Sequence, residues 1–180
     1  MANVIIHATV SLDGFMADAA GGVDWMDGFP VAPEDEALLG RVVQELGAVV
    51  GGASKTQTVE DGGVPYGGLP GVPVYLMTHN PREPIDKDGV TYRFVVDDIT
   101  EAVESAKQAA GDKWVSVLGG SISRQCLELG LVDEIQLHVV PILLGEGISL
   151  FTGLSKLIRL ERVDTSAFAG EAHLRYRVLA

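Results

Sequence analysis

The chain has 180 residues, of which 47% are hydrophobic and 21% are charged, and its formal net charge at pH 7 is −12. This length and hydrophobic content predict a single domain over residues 1–180 with a sizeable core. An acidic surface repels phosphate backbones, so nucleic acid is not an expected partner. No apolar run approaches the roughly 18 residues of a membrane helix, and the N-terminus does not resemble a signal peptide. We therefore expect a cytoplasmic protein without a membrane partner.

Apolar patterns predict the elements in chain order. Strands are expected at 4–10, 48–50, 72–77, 91–96, 114–118 and 172–178, and helices at 33–46, 99–110 and 121–129. The β-rich run 131–144 contains Pro141, so it either bends there or lies at a sheet edge. The glycine-rich segment 61–71 is predicted to be a loop. This order predicts an α/β fold, with a mixed β-sheet flanked by helices on both faces and an antiparallel C-terminal end.

Two glycines separate a strand from a helix in the stretch VSVLGGSISRQCLELG. Unpaired amides and the positive end of a helix dipole meet at such a junction, and no Cβ blocks close approach. Gly119 and Gly120 could therefore hold a phosphate or pyrophosphate, and a larger side chain there is expected to block the ligand while leaving the fold intact. The alternative is a tight turn with close strand–helix packing. The pair is not a G-x-G-x-x-G fingerprint, so a Rossmann unit is excluded.

The segment VLGGSISRQCLELGLVDEIQLHVVPILLGEG resembles the reductase domain of the bifunctional riboflavin-biosynthesis deaminase-reductase and its stand-alone relatives. The matching features are the glycine pair, Gly-Leu-Val-Asp-Glu at 130–134 and Pro-x-x-Leu-Gly at 141–145. Ser-Leu-Asp-Gly at 11–14 matches the family's other signature. The resemblance implies a dihydrofolate reductase-like fold, an NADPH-dependent oxidoreductase with a small-molecule substrate, and a homodimer.

The resemblance also implies where NADPH would bind. The glycine pair and the two residues after it would surround the pyrophosphate, and the end of the first strand would flank the nicotinamide. A tryptophan in the following loop would lie near the cofactor, and the turn after the third strand would hold the adenosine side and favour NADPH over NADH. The family's Gly-Arg-x-Thr is only partly matched, because its arginine is displaced to Lys55. The implied residues are Ala8, Thr9, Trp25, Thr56, Thr78, His79, Gly119, Gly120, Ser121 and Ile122.

One position departs from the family pattern. Riboflavin-pathway members usually carry a glutamate just before the glycine pair, where it holds the pyrimidine, and this chain has Leu118. Leucine cannot accept those hydrogen bonds, so recognition of that ring is expected to be lost. The implied activity resembles 5-amino-6-(5-phosphoribosylamino)uracil reductase, with hydride transfer to a pyrimidine- or pteridine-like substrate. The alternatives are dihydrofolate reductase-like activity on another substrate, or a non-catalytic binder of a nucleotide or flavin-like ligand.

Two acids are candidate functional residues. Asp35 stands at the start of a predicted helix, in a place similar to that of the substrate-binding acid of dihydrofolate reductase, and it is the candidate catalytic acid. Its alternative role is to complement the helix dipole. Asp13 either holds the loop after the first strand or contacts a ligand.

The four histidines suggest no metal site. They are too dispersed along the chain to match a metal-ligand spacing, and His7 and His138 are expected to be polar residues on strand faces. Cys126, the single cysteine, excludes an internal disulfide and follows the apolar stripe of its helix, so it is expected in the core.

Overall fold

The computed structural model describes residues 2–28, 32–53, 68–168 and 170–179. The strands within these ranges are β1 (Val4–Ser11), β2 (Phe15–Ala17), β3 (Leu46–Gly52), β4 (Val74–Thr78), β5 (Ile85–Lys87), β6 (Val90–Val96), β7 (Trp114–Val117), β8 (Glu134–Val140), β9 (Ile148–Ser149), β10 (Arg159–Phe168) and β11 (Glu171–Leu179). The helices are α1 (Pro33–Glu45), α2 (Ile99–Ala110) and α3 (Gly120–Glu128), and Asp24–Met26 forms a single 3-10 turn.

Nine of these strands form one sheet in the order β10-β11-β8-β1-β7-β3-β4-β6-β5, and β2 pairs with β9 beside it. The six central strands run parallel to one another; they are β8, β1, β7, β3, β4 and β6. The outer strands β5, β11 and β10 are each antiparallel to the strand beside them. The predicted α/β fold with a mixed sheet is therefore confirmed, including its antiparallel C-terminal end. The carboxyl ends of the parallel strands meet at one edge of the sheet, which is where ligands bind in open α/β sheets.

Helices cover both faces because the strands are apolar on both sides. Ile6 of β1 packs with α2 and α3 in the larger core cluster, which also contains the fully buried Cys126 predicted for the core. Burial raises the pKa of the Cys126 thiol to about 12, so the thiol stays protonated. His7, the next residue of β1, points to the opposite face because side chains alternate along a strand, and α1 lies on that face. None of the described helices has the length and apolar character needed to span a lipid bilayer.

Helix ends follow local capping chemistry. The carboxylate of Asp98 accepts a hydrogen bond from the Glu101 amide at 2.9 Å, and α2 ends at Gly111, whose φ is 65°. These two signals give α2 the bounds that the sequence predicts. Helix α1 begins at Pro33, which is favoured at a first helical position because its missing N–H would have no partner there.

The C-terminal half differs from the sequence expectation in two ways. Strand β8 neither bends nor lies at an edge, since it ends at Val140, just before Pro141, and is hydrogen-bonded to β1 and β11. The sequence pattern does not indicate β9 or β10, and β10 is an edge strand whose residues 159–165 are all exposed. The last strand, β11, therefore has both of its edges paired within the chain.

Candidate cofactor and active site

A cleft of about 650 Å³ opens at the carboxyl edge of the sheet. Its walls come from the end of β1, the junction between β7 and α3, and the β2–β9 pair with the loop between β2 and α1. The structure places seven of the sequence-predicted site residues in this cleft: Ala8, Thr9, Leu118, Gly119, Gly120, Ser121 and Ile122. The separate sequence segments of the predicted cofactor site thus meet because β1 and β7 are parallel neighbours.

The two glycines at the β7–α3 junction are required for different reasons. Gly119 has φ 93°, a conformation that glycine adopts without strain, and a Cβ built on it would meet nothing within 4 Å. Its bare Cα therefore leaves space for a ligand. A Cβ on Gly120 would lie 2.6 Å from the carbonyl oxygen of Ser149 in β9, so this glycine is needed for close packing. The expectation that a side chain at Gly120 would leave the fold intact is wrong for that reason, and its effect on a ligand stays a prediction.

The first turn of α3 presents hydrogen-bond donors to the cleft. The first intrahelical bond at this end runs from the Ser123 amide to the Gly119 carbonyl at 2.9 Å. The amides of Gly120, Ser121 and Ile122 precede it and so have no acceptor within the helix. These amides and the positive end of the helix dipole favour an anion.

Ser123 is a site residue that the sequence analysis missed. It is fully buried and contributes to the cleft wall, and its Oγ has no hydrogen-bond partner among the described residues. A buried hydroxyl without a partner is costly, which indicates that a ligand or a water completes its hydrogen bonds. The available signal was its place directly after the predicted pyrophosphate residues, as a polar side chain in an apolar helix stripe.

Leu118 forms an apolar part of the cleft wall. It is half-buried, and its side chain packs against the smaller core cluster built by β3, β4 and β6. Among the described residues that line the cleft, none is a carboxylate that could accept hydrogen bonds from a heterocycle. The structure thus places Leu118 in the cleft wall, and its effect on substrate recognition stays a prediction.

Three predicted cofactor residues lie outside the cleft lining, namely Thr78, His79 and Trp25. Thr78 is the last residue of β4 and His79 follows it, and β4 lies two strands from β7 in the sheet. The Thr78 hydroxyl is bonded to the backbone of Asn80, and the exposed His79 ring pairs with the carboxylate of Asp97. An acid beside His79 weakens this turn as a site for a 2′-phosphate, because a carboxylate repels a phosphate.

Trp25 lies in the 3-10 turn between Val23 and Met26, both of which line the cleft. Its indole Nε1 is buried and has no partner among the described residues. Thr56 and Lys55 lie outside the described residues.

Asp13 joins two of the family signatures. Its carboxylate accepts hydrogen bonds from the Ser11 hydroxyl at 2.6 Å and from the amides of Leu144 and Gly145 at 3.2 and 2.8 Å. The Ser11 bond and then the amide bonds hold the pKa of Asp13 below its ordinary value. Of the two roles left open by the sequence, the structure supports the holding of the loop, since the carboxylate is engaged by protein donors.

Asp35 lies away from the cleft lining and is buried, with 6% of its surface exposed. Its Oδ2 accepts a hydrogen bond from the Ala32 amide at 2.7 Å, which is the dipole-complementing role at the start of α1. Its Oδ1 lies 2.8 Å from Nε2 of His173. That is a hydrogen-bond distance, but the ring N–H does not point along it, so the two atoms are in contact without an aligned bond.

Three histidines that are distant in sequence are adjacent in space. Nε2 of His7 lies 2.7 Å from Nε2 of His138, and Nδ1 of His138 lies 2.7 Å from Nδ1 of His173. Their separation along the sequence gave no sign of this cluster, which forms because β1, β8 and β11 are neighbours and place these rings on the face under α1. Burial lowers the pKa of both His7 and His138 to about 4, so both are neutral at pH 7. His7 also lines the cleft.

Donor atoms of His138, Glu171 and His173 lie within 4.8 Å of one another, so this group of side chains could hold a metal ion. Burial is the first cause of the raised pKa of Glu171, and the negative charge of Asp35 adds to it. The sequence spacing gave no signal of this cluster, because two of its members lie on β11 and the third on β8.

The chain is similar to several known proteins along nearly its whole length. "Uncharacterized protein YyaP" of Bacillus subtilis (strain 168) is 31% identical over 175 residues, which covers 92% of this chain and 89% of that protein. A crystal structure of a "Putative riboflavin biosynthesis protein" from Shewanella sp. PV-4 superposes with a TM-score of 0.80 at 23% identity, covering all of both chains.

Two further crystal structures share the fold. A diaminohydroxyphosphoribosylaminopyrimidine deaminase/5-amino-6-(5-phosphoribosylamino)uracil reductase from Thermotoga maritima gives a TM-score of 0.70 at 14% identity, and the match covers 99% of this chain and 57% of that one. Dihydrofolate reductase from Enterococcus faecalis, complexed with NADP(H), gives 0.61 at 13% identity over 99% and 97% of the two chains. At these identities the two structures establish a common dihydrofolate reductase-like fold.

Residues 2–174 match the family model described as "RibD C-terminal domain". That match includes the glycine pair, the Asp13 loop and the strands that carry the three histidines. This protein belongs to the RibD C-terminal domain family.

Proposed function

We propose that this protein is an NADPH-dependent reductase that transfers hydride to a pyrimidine- or pteridine-like heterocycle. The observation that carries the proposal is the anion-binding end of the cleft. There, the open Cα of Gly119 and the first-turn amides of α3 lie at the cleft, and its wall includes the buried Ser123, whose hydroxyl has no partner among the described residues. Family membership and the dihydrofolate reductase-like fold support the same activity.

The described residues fit a dinucleotide at its pyrophosphate end. The amides of Gly120, Ser121 and Ile122 would bind the phosphate oxygens, and the Ser123 hydroxyl would donate to one of them. Ala8 and Thr9 would flank the nicotinamide at the end of β1. Bound NADPH would supply the hydride. The apolar residues Leu118, Ile148 and Leu150 in the cleft wall would exclude water from the space where substrate and cofactor meet.

The substrate is a heterocycle that is held without a carboxylate at position 118. The Thermotoga maritima protein carries 5-amino-6-(5-phosphoribosylamino)uracil reductase in its name, so that pyrimidine is the first substrate to test. Leu118 presents a methyl-rich surface to the ring, which favours a flat, less polar heterocycle over one rich in donors. A pteridine such as dihydrofolate is the second substrate to test.

A second candidate function is a binder of a nucleotide or flavin-like ligand that performs no reduction. The observation that favours it is the same Leu118, because the wall that should recognise the substrate has lost its polar group. Both functions require the anion-binding end of the cleft. Consumption of NADPH in the presence of a substrate separates them.

Calorimetric titration of NADPH into wild type and Ser123→Ala tests the proposal. Because the hydroxyl has no protein partner, its removal should leave stability unchanged or slightly raised, while the lost bond to a charged phosphate should weaken binding about 10- to 100-fold. Ser116→Ala, a buried serine outside the cleft lining, is the matched control and should bind normally. Equal affinity of wild type and Ser123→Ala, or no NADPH binding by the wild type, would refute the assignment.

A further inference from the structure

We propose that His7, His138 and His173 form a proton relay between the buried Asp35 and the cleft. Asp35 would then serve the reaction without touching the substrate, and His7 would be the residue that exchanges the proton with it. The inference rests on the proposed reductase function, since reduction of a C=N or C=O bond requires a proton as well as a hydride.

Two of the three contacts are hydrogen bonds between rings, and the third, between His173 and Asp35, is at hydrogen-bond distance, so the four side chains follow one another without a gap. Both His–His distances are 2.7 Å, and Nε2 of His173 lies 2.8 Å from Oδ1 of Asp35. The planes of successive rings are nearly perpendicular, at 87° and 74°, and their centroids lie 4.8 and 4.9 Å apart. His138 stands directly opposite His173 in the β8–β11 pair, so the sheet itself fixes their register. The contact to Asp35 needs a small rotation of the His173 ring before a proton can pass.

The chain has two consistent protonation patterns. With Asp35 ionised and all rings neutral, His173 carries its proton on Nε2, His138 on Nδ1 and His7 on Nε2, so every contact pairs one donor with one lone pair. With Asp35 protonated the pattern reverses, and the protons lie on Nδ1 of His173, Nε2 of His138 and Nδ1 of His7. Each pattern leaves no two protons, and no two lone pairs, facing each other.

One proton crosses the relay when the second pattern converts to the first. Nδ1 of His7 gives its proton to the substrate atom that becomes N–H or O–H, as the adjacent carbon receives hydride. Nε2 of His7 then takes the proton of His138, Nδ1 of His138 takes that of His173, and Nε2 of His173 takes that of Asp35. Four protons each move one position, Asp35 ends as a carboxylate, and no other reactant is needed. Return of the proton from solvent through the cleft resets the chain.

Burial favours the neutral form of two of the three rings, because it lowers the pKa of His7 and of His138 to about 4. His138, His173 and Asp35 are all at most 6% exposed, and only His7 reaches the cleft lining. The groups that face the chain are Asp35 from α1, Glu171 from β11 and the Phe168 ring of β10 against His173. Because His7 and His138 are neutral at pH 7, a proton can pass these two rings by tautomer exchange without an imidazolium being stored there.

The same cluster fits a metal less well. Two nitrogens bound to one tetrahedral zinc at ~2.0–2.1 Å lie about 3.3 Å apart. The facing nitrogens of His138 and His173 are 2.7 Å apart, which is a hydrogen-bond distance, and the second nitrogen of His138 is already directed at His7. A metal would require these rings to separate.

Histidine ring ¹⁵N NMR tests the chain independently of any turnover. We expect the three rings to occupy one of the two concerted patterns at pH 7, and Asp35→Asn to shift the ring signals of His7 although two rings lie between them. His79→Gln, which changes an exposed histidine outside the cleft lining, should leave those signals in place. A mixed pattern, or His7 signals insensitive to Asp35→Asn, would overturn the relay.

The kinetics of NADPH oxidation with 5-amino-6-(5-phosphoribosylamino)uracil or dihydrofolate test whether the reaction uses the relay. We expect Asp35→Asn and His138→Gln each to lower kcat about 10²- to 10⁴-fold, with the Kd for NADPH unchanged. Added imidazole should partly restore His7→Ala, whose vacated position opens on the cleft, and should not restore His138→Gln. An unchanged kcat in these variants would overturn the relay, as would inactivation by EDTA that Zn²⁺ reverses. If the wild type neither binds nor oxidises NADPH, that result would count against the proposed function. The ¹⁵N NMR result would still decide whether the three histidines form a relay.

Discussion

The two neutral histidines make stability depend on pH in a way that the structure allows us to calculate. The pKa of His7 and that of His138 are about 4 in the folded protein and about 6.5 when unfolded. Between these values the unfolded chain binds more protons than the native one, so the free energy of unfolding rises with pH. The free energy of unfolding therefore keeps its full value, as far as these two groups determine it, above pH 6.5, and it falls as the pH drops towards 4.

The magnitude is large for a small domain. One pKa unit corresponds to about 1.4 kcal/mol, and the interval from pH 6.5 to pH 5 is 1.5 units. Each histidine should therefore lower the free energy of unfolding by about 2 kcal/mol at pH 5, and the pair by about 4 kcal/mol. The whole free energy of unfolding of a domain is typically about 5–15 kcal/mol. Glu171 acts in the opposite direction, because its pKa is raised in the fold and its protonation favours the native state as the pH falls.

Urea unfolding followed by circular dichroism at pH 7, 6 and 5 measures this effect. The wild type should lose about 4 kcal/mol over the range, and His138→Gln should lose only about half as much because one of the two groups is gone. His79→Gln, at an exposed position, should behave like the wild type. Equal unfolding free energies of the wild type at pH 7 and pH 5 would refute the reasoning, as would identical slopes for wild type and His138→Gln.

Three further predictions concern the loop, the substrate and the assembly. Asp13→Asn should speed amide hydrogen exchange at Leu144 and Gly145 without unfolding the protein, because it weakens the hydrogen bonds that hold that loop. Asp86→Asn, at an exposed hydrogen-bonded acid, is the control, and unchanged exchange in Asp13→Asn would contradict the holding role. Leu118→Glu should raise kcat/KM for 5-amino-6-(5-phosphoribosylamino)uracil about 5- to 150-fold, which corresponds to one recovered hydrogen bond of about 1–3 kcal/mol. A lower kcat/KM for Leu118→Glu than for Leu118→Gln would show that other residues recognise the ring. Sedimentation at micromolar concentration should give twice the 19.0 kDa of the chain, since the exposed edge strand β10 offers a pairing surface, and a 19.0 kDa species would refute the homodimer.

The local signals in the sequence were sufficient for most of the fold. Alternation and capping residues predicted α1, α2, α3 and the central strands, because these depend on neighbours within a few positions. The glycine pair and the signatures at 11–14 and 141–145 predicted the family and the β7–α3 junction. The sequence did not predict β10, because an exposed edge strand lacks the apolar pattern of a strand with a buried face.

Only the tertiary structure decided the roles of individual polar residues. Gly120 is required by the Ser149 carbonyl, and Asp13 holds two amides more than 130 positions away along the chain. His7, His138 and His173 come from three strands, and no spacing in the sequence indicates that those strands are neighbours. Local propensity determines which residues form a strand, but the order of strands in a sheet depends on how the whole apolar surface is buried. The contact between a buried acid on α1 and a histidine on β11 therefore exists only once the sheet is complete.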